Sequence, residues 1–141
     1  MAGGNLKSKV QVKLRGDLQA YLVNAATDIF TGAPVGINAA GKAIMATGAE
    51  PFVGMAEQPI AAAIADGTTV KTLVRRTGHW WMPMPTVTQA SIAQLVAVAT
   101  AQTASADYTV AVGTTNVIGT VVEVDLQGKR ALVDIEQRIA G

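Results

Sequence analysis

The chain has no cysteine in its 141 residues. Disulfides, thiol nucleophiles and thiolate metal sites are therefore excluded. It has one histidine, so a metal site would need carboxylates to do most of the work, and the ten acids form no pair at ligand spacing. Aromatic residues are only 4% of a chain that is 50% hydrophobic. The apolar content is mostly Ala and Val, which suits thin, closely packed β layers rather than an aromatic pocket. Charged residues are 15%, below the roughly 25% of an average soluble domain. A surface with so little charge is either covered by a partner or simply a neutral, Ala/Thr-rich one. No apolar run approaches the about 18 residues of a membrane-spanning helix. The net charge of +1 gives no general attraction to nucleic acid or membrane. The N-terminus is polar and basic, without the apolar core of a secretory signal, so synthesis in a cytoplasm is expected.

What is present is a repeated phrase. One copy runs from Ala33 to about Arg76, the other from Ala93 to about Arg138. Each opens on a short apolar strand, Pro34 to Ile37 and Leu95 to Val98. A second strand follows, Ala43 to Thr47 and Tyr108 to Val112. The closest echo is Phe52-Val53-Gly54-Met55-Ala56-Glu57 against Val117-Ile118-Gly119-Thr120-Val121-Val122-Glu123. A fourth strand closes each copy, Val70 to Arg75 and Ala131 to Ile139. Four strands twice predict an all-β antiparallel domain of about eight strands, a sandwich or barrel of jelly-roll type. Turn signals separate the strands: Asn38 to Lys42, Gly48 to Pro51, Asp66-Gly67, Gly113 to Asn116 and Leu126 to Lys129. In the closing pair, Thr120, Val122, Val124 and Leu126 alternate with Val121, Glu123 and Asp125. Val133, Ile135 and Ile139 alternate with Asp134, Glu136 and Arg138. One face of each strand is core and the other is wet or covered.

Four segments stand apart from the strands of the repeat. Residues 1–16 form a basic arm, with Lys7, Lys9, Lys13 and Arg15 and no acid. Val10, Val12 and Leu14 alternate with the cations, so the arm could lie as a strand on an acidic partner; an unordered terminus is the plainer reading. Residues 17–141 form the single β domain. Asp17 to Ala26 fits a short helix capped by Asp17, or a strand from Ala20 to Asn24, and the strand is preferred because a β partner follows. Thr88 to Gln94 fits a single helical turn capped by Thr88 or Ser91. Ile60 to Ala65 fits a helical turn or an apolar loop.

Two motifs have the outline of chemistry without its substance. Gly36 to Lys42 has the Gly-x4-Gly-Lys spacing of a phosphate-binding loop, but Ala43 stands where a magnesium-binding Ser or Thr is needed. The following residues read as a strand and not as the required helix, so a hairpin turn is expected. His79 has no nucleophile in a Gly-flanked elbow near it, so neither a triad nor a metal site is expected. No cofactor and no catalytic residue is assigned. The densest patch of unusual residues is Arg75 to Pro85. Trp and Arg are enriched in protein–protein hot spots, and alternation sends Trp80 and Trp81 to opposite faces. Arg75, Arg76, Trp80 and Trp81 are candidate partner-binding residues, with Lys7, Lys9, Lys13 and Arg15 of the arm.

In order and spacing these phrases resemble the capsid decoration, or cement, proteins of tailed bacteriophages. Thr31-Gly32-Ala33-Pro34-Val35 with Asn38 to Gly41 resembles the family's opening. Phe52 to Glu57 resembles its mid-chain glycine strand, and Val70 to Gly78 followed by Trp80 to Pro83 its basic strand and apolar-Pro segment. Val117 to Val121 and Val133 to Ile135 resemble its closing pair. The resemblance implies a non-enzymatic structural protein on the outer capsid surface of a virion, made in a bacterial cytoplasm. It implies a major capsid protein as partner, bridged between capsomers, and a small homo-oligomer, a dimer sooner than a trimer. The basic arm departs from the shorter N-termini of that family. A sugar- or ligand-binding β module is the alternative, and an exposed tryptophan beside His79 would suit it.

Overall fold

The computed structural model describes residues 17–136. The basic arm and its four cations therefore lie outside the described residues, as do Arg138 and Ile139. Ten strands form two antiparallel five-stranded sheets. The first sheet holds β1 (Leu18–Leu22), β2 (Pro34–Ile37), β3 (Ala43–Met45), β4 (Phe52–Ala56) and β5 (Lys71–Arg75). The second holds β6 (Thr77–Pro83), β7 (Leu95–Thr100), β8 (Thr109–Val112), β9 (Gly119–Asp125) and β10 (Arg130–Glu136). The all-β architecture is as expected, and each copy of the repeated phrase supplies its own sheet. The chain finishes one sheet before starting the next, a simpler order than the interleaved strands of a jelly roll.

The repeat is larger than its sequence suggested. The strand order is β1-β5-β4-β2-β3 in one sheet and β6-β10-β9-β7-β8 in the other. Adding five to every label of the first sheet gives the second, so β1 and β6 are equivalent fifth strands. The registers agree as well. Val35 faces Gly54 as Val96 faces Gly119, and Met55 faces Arg75 as Thr120 faces Asp134. Leu18 pairs with Arg75 as His79 pairs with Asp134. Hydrogen bonds outside the strands follow suit: Gly32 N–H donates to Ala56 O and Ala93 N–H to Val121 O, both at 2.8 Å. The structure is thus an internal duplication of a unit of about 60 residues.

β1 settles the helix-or-strand alternative in favour of a strand, because its backbone pairs along its whole length with β5. The 3₁₀ turn at Gln89–Ser91 is the expected helical turn, and Ser91 Oγ accepts a 3.0 Å hydrogen bond from Thr88 N–H. The near phosphate-binding loop is a β2–β3 hairpin turn. Asn38 Oδ1 accepts from Ala40 N–H and Lys42 N–H at 3.0 Å each, and Gly41 takes φ +79°.

One alternation is corrected. Val121 is buried while Val122 is 40% exposed, the reverse of an apolar face built on Val122. Leu132 faces Glu123 and Val133 faces Val121, which leaves Val122 as the extra residue of a β-bulge. A bulge shifts the side-chain period by one, so the residues before and after it cannot share one alternation.

Each sheet curls around its own core. Val23, Ile29, Val35, Ala43, Ala56, Ile60, Ala65 and Val74 fill the first. The second cluster holds Met82, Met84, Val96, Val110, Val121, Val133 and Ile135, and takes in Ala46, Phe52 and Met55 from the first unit. The β3–β4 turn joins the units. A Cβ at Gly48 would stand 2.3 Å from Val98 O, and Asn116 Nδ2 donates to Gly48 O at 3.0 Å.

Candidate functional site

The Arg75 to Pro85 segment proves to be the link between the units followed by β6. Arg75 pairs with Glu57 across the first sheet. Arg76 is buried at the junction, where its N–H donates to Asp17 O at 2.7 Å. Thr77 Oγ1 donates to Asp17 Oδ1 at 3.0 Å, and Thr77 faces Glu136 in the register. The described chain therefore begins and ends at this junction.

Trp80 and Trp81 point to opposite faces of β6, as alternation requires. Trp80 packs against the second core and Trp81 is 40% exposed. The Arg130 guanidinium carbon lies 4.7 Å from the Trp81 ring centroid, a cation–π geometry. Arg130 Nε donates to Asp125 Oδ2 at 2.9 Å. The Gly128 N–H and this Arg130 contact hold the Asp125 carboxyl below the ordinary carboxylate range. His79 Nε2 stands 3.7 Å from Asp134 Oδ1 on the same outer face, with both side chains well exposed. Nothing in this geometry poises a nucleophile. Among the described residues no group of three His, Asp or Glu side chains is gathered to hold a metal.

Beside Trp81 is a cleft of about 270 Å³, lined by Trp81, Met82, Pro83, Asp107, Gly128, Lys129 and Arg130. Next to Asp107, Tyr108 is buried, and burial followed by the Asp107 charge pushes its hydroxyl far above the usual phenol range. The sequence reading missed this cleft. Its signals were Pro83 and Pro85, which were legible but had no meaning until β6 was aligned with β1.

A second feature is the distribution of exposed apolar side chains. Seven large ones are exposed among the described residues: Ile64, Trp81, Ile92, Leu95, Val112, Val122 and Leu126. All but Ile64 belong to the second unit. Val112 faces Val96 across β7 and β8, while Leu95 O accepts from Gly113 N–H at 3.0 Å, so Leu95 and Val112 lie on opposite sides of this strand pair. Ala93 N–H donates to Val121 O, which makes Ile92 and Val122 chain neighbours of a bonded pair. Two units with one topology thus present different surfaces.

No helix among the described residues is long and apolar enough to cross a membrane. No family model, curated protein or solved structure matches the chain.

Proposed function

We propose that this chain is a non-enzymatic capsid decoration protein of the tailed-bacteriophage kind. It binds the outer surface of the major capsid protein shell and bridges capsomers as a small homo-oligomer, a dimer sooner than a trimer. The observation that carries this reading is the unequal division of exposed apolar side chains between the two units. Ile92, Leu95, Val112 and Val122 are exposed on the second unit, whereas among the described residues Ile64 is the only large apolar side chain exposed on the first. Exposed apolar groups concentrated on one of two equivalent units mark that unit as the interacting one, because the fold itself has no use for them there. The order of the strand phrases and the low charge favour the same reading. The mechanism is summation. Each copy makes modest contacts with two capsid subunits, and the shell opens only when many such contacts break together.

The test is co-sedimentation of purified protein with undecorated capsids. Binding at micromolar protein is expected, with loss of binding in a Leu95→Glu/Val112→Glu variant that stays folded. Failure of the wild-type protein to co-sediment overturns the proposal. Deleting residues 2–16 in the same assay decides whether the basic arm belongs to the interface.

A further inference from the structure

The two units differ where the curled sheet closes. In the first, Asn24 N–H donates to Ala43 O at 3.0 Å, and Val23 bridges Ala43 in parallel register. This bond joins the end of β1 to β3. In the second unit Met84 takes the place of Val23, for Val23 N–H donates to Val70 O and Met84 N–H to Lys129 O, both at 2.9 Å. The residue equivalent to Asn24 is therefore Pro85, and that equivalent to Leu22 is Pro83. Proline has no N–H to give. β6 and β8 lie against each other, yet they are not hydrogen-bonded neighbours.

The same end of the first unit is also covered by its β4–β5 connection. Ile60 and Ala65 of that loop enter the first core, and Ala26 N–H donates to Ala65 O at 2.9 Å. The second unit has only the tight Leu126 to Lys129 turn there. An unzipped strand pair and a missing cover leave the cleft beside Trp81. Its stacking wall is also peculiar to this unit, because register places Ala20 where the second sheet has Trp81.

We propose that this cleft binds a single neutral sugar ring, with Trp81 as the stacking wall and Asp107 and Lys129 as hydroxyl partners. Size sets the first limit. About 270 Å³ falls below the roughly 300–1,000 Å³ that buries a drug-sized ligand, so one ring is the occupant. Charge sets the second. Arg130 is engaged by Asp125, and the other two charged lining residues, Lys129 and Asp107, are of opposite sign, so the cleft carries little net charge to attract an ion. A sugar ring has an apolar C–H face for the indole and hydroxyls that donate to a carboxylate and accept from an ammonium. The Arg130–Asp125 pair fixes the Trp81 ring before any ligand arrives. This site stands independently of the capsid reading.

The test is amide and indole NMR on the isolated protein, titrated with glucose, galactose, mannose and N-acetylglucosamine to about 50 mM, since sites of this size bind weakly. With at least one sugar, shifts are expected at the Trp81 indole and at the amides of Asp107, Lys129 and Arg130. They are expected to vanish in Trp81→Ala, to fall several-fold in Asp107→Ala, and to persist in Trp81→Phe. No shift with any of the four sugars overturns the proposal. So do shifts that survive Trp81→Ala, and so does an equal response to sodium acetate that salt abolishes, which would mark an anion site.

Discussion

Gly54 and Gly119 stand at the same point of the two sheets. Each faces a core valine across one strand pair and the carbonyl of a closing strand across the other. A Cβ would come within 2.5 Å of Arg75 O at Gly54 and within 2.4 Å of Asp134 O at Gly119. Backbone cannot yield as a flexible side chain can. Gly54→Ala and Gly119→Ala should each destabilise the protein by about 2–3 kcal/mol, read as a lower urea midpoint. A fall below about 0.5 kcal/mol at either site would mean that the strands separate easily there.

Ala93 holds φ +72°, where its counterpart Gly32 holds φ +80°. A Cβ in the left-handed region costs roughly 1–2 kcal/mol. The second unit therefore carries strain that the first avoids. Ala93→Gly should raise stability by about 0.5–1 kcal/mol, after the extra freedom glycine gains in the unfolded chain is set against the relief. Thermal unfolding of the variant beside wild type checks the sign.

The units should uncouple at Gly48, which takes φ +97° and abuts Val98 O. Gly48→Ala has no strain-free solution at this contact, and the turn must move away from the second unit. Asn116→Ala removes the 3.0 Å bond to Gly48 O and also places alanine at φ +49°, and should cost about 1–2 kcal/mol. The larger loss in Gly48→Ala should come with a broader transition by calorimetry. A sharp single transition in that variant would show that the shared Ala46, Phe52 and Met55 contacts hold the units together alone.

Asp66 provides a pH response in the first unit. The Thr69 hydroxyl, then the N–H groups of Thr68 and Thr69, hold its carboxyl far below the ordinary carboxylate range. A depressed folded value stabilises above the unfolded value of about 3.9, and the contribution is lost as pH falls through the folded value. Wild-type stability should therefore drop more steeply than that of Asp66→Asn below about pH 4. The loop should loosen in the same range, seen at the amide of Gly67, whose Cα position abuts Ala25. Parallel acid unfolding curves for the two proteins would refute this.

Pro83 and Pro85 show how far a single chain of letters could be read. Their presence in an apolar segment was plain, and an open sheet edge is a regular place for proline. Their consequence was hidden, because it rests on Leu22 and Asn24 occupying the same positions some 60 residues earlier. The fifth strand of each unit was legible only in part, for a similar reason. β1 has a pattern that suits helix or strand, and β6 is crowded with Trp, Met and Pro. Local pattern records which way side chains alternate, and pairing partners decide whether the alternation is used.

The sequence by itself determined the β class, the turns, the two-fold repetition and the absence of thiol chemistry. Those follow from short-range periodicity and from residue types that are present or missing. Only the tertiary structure decided that Trp81 faces outward while Trp80 packs inward, that Val122 bulges out of β9, and that the second unit stays unzipped where the first closes. These depend on strand register and on groups far apart in the chain meeting. A backbone hydrogen bond that proline cannot make is visible only once the strand it should have reached is in place.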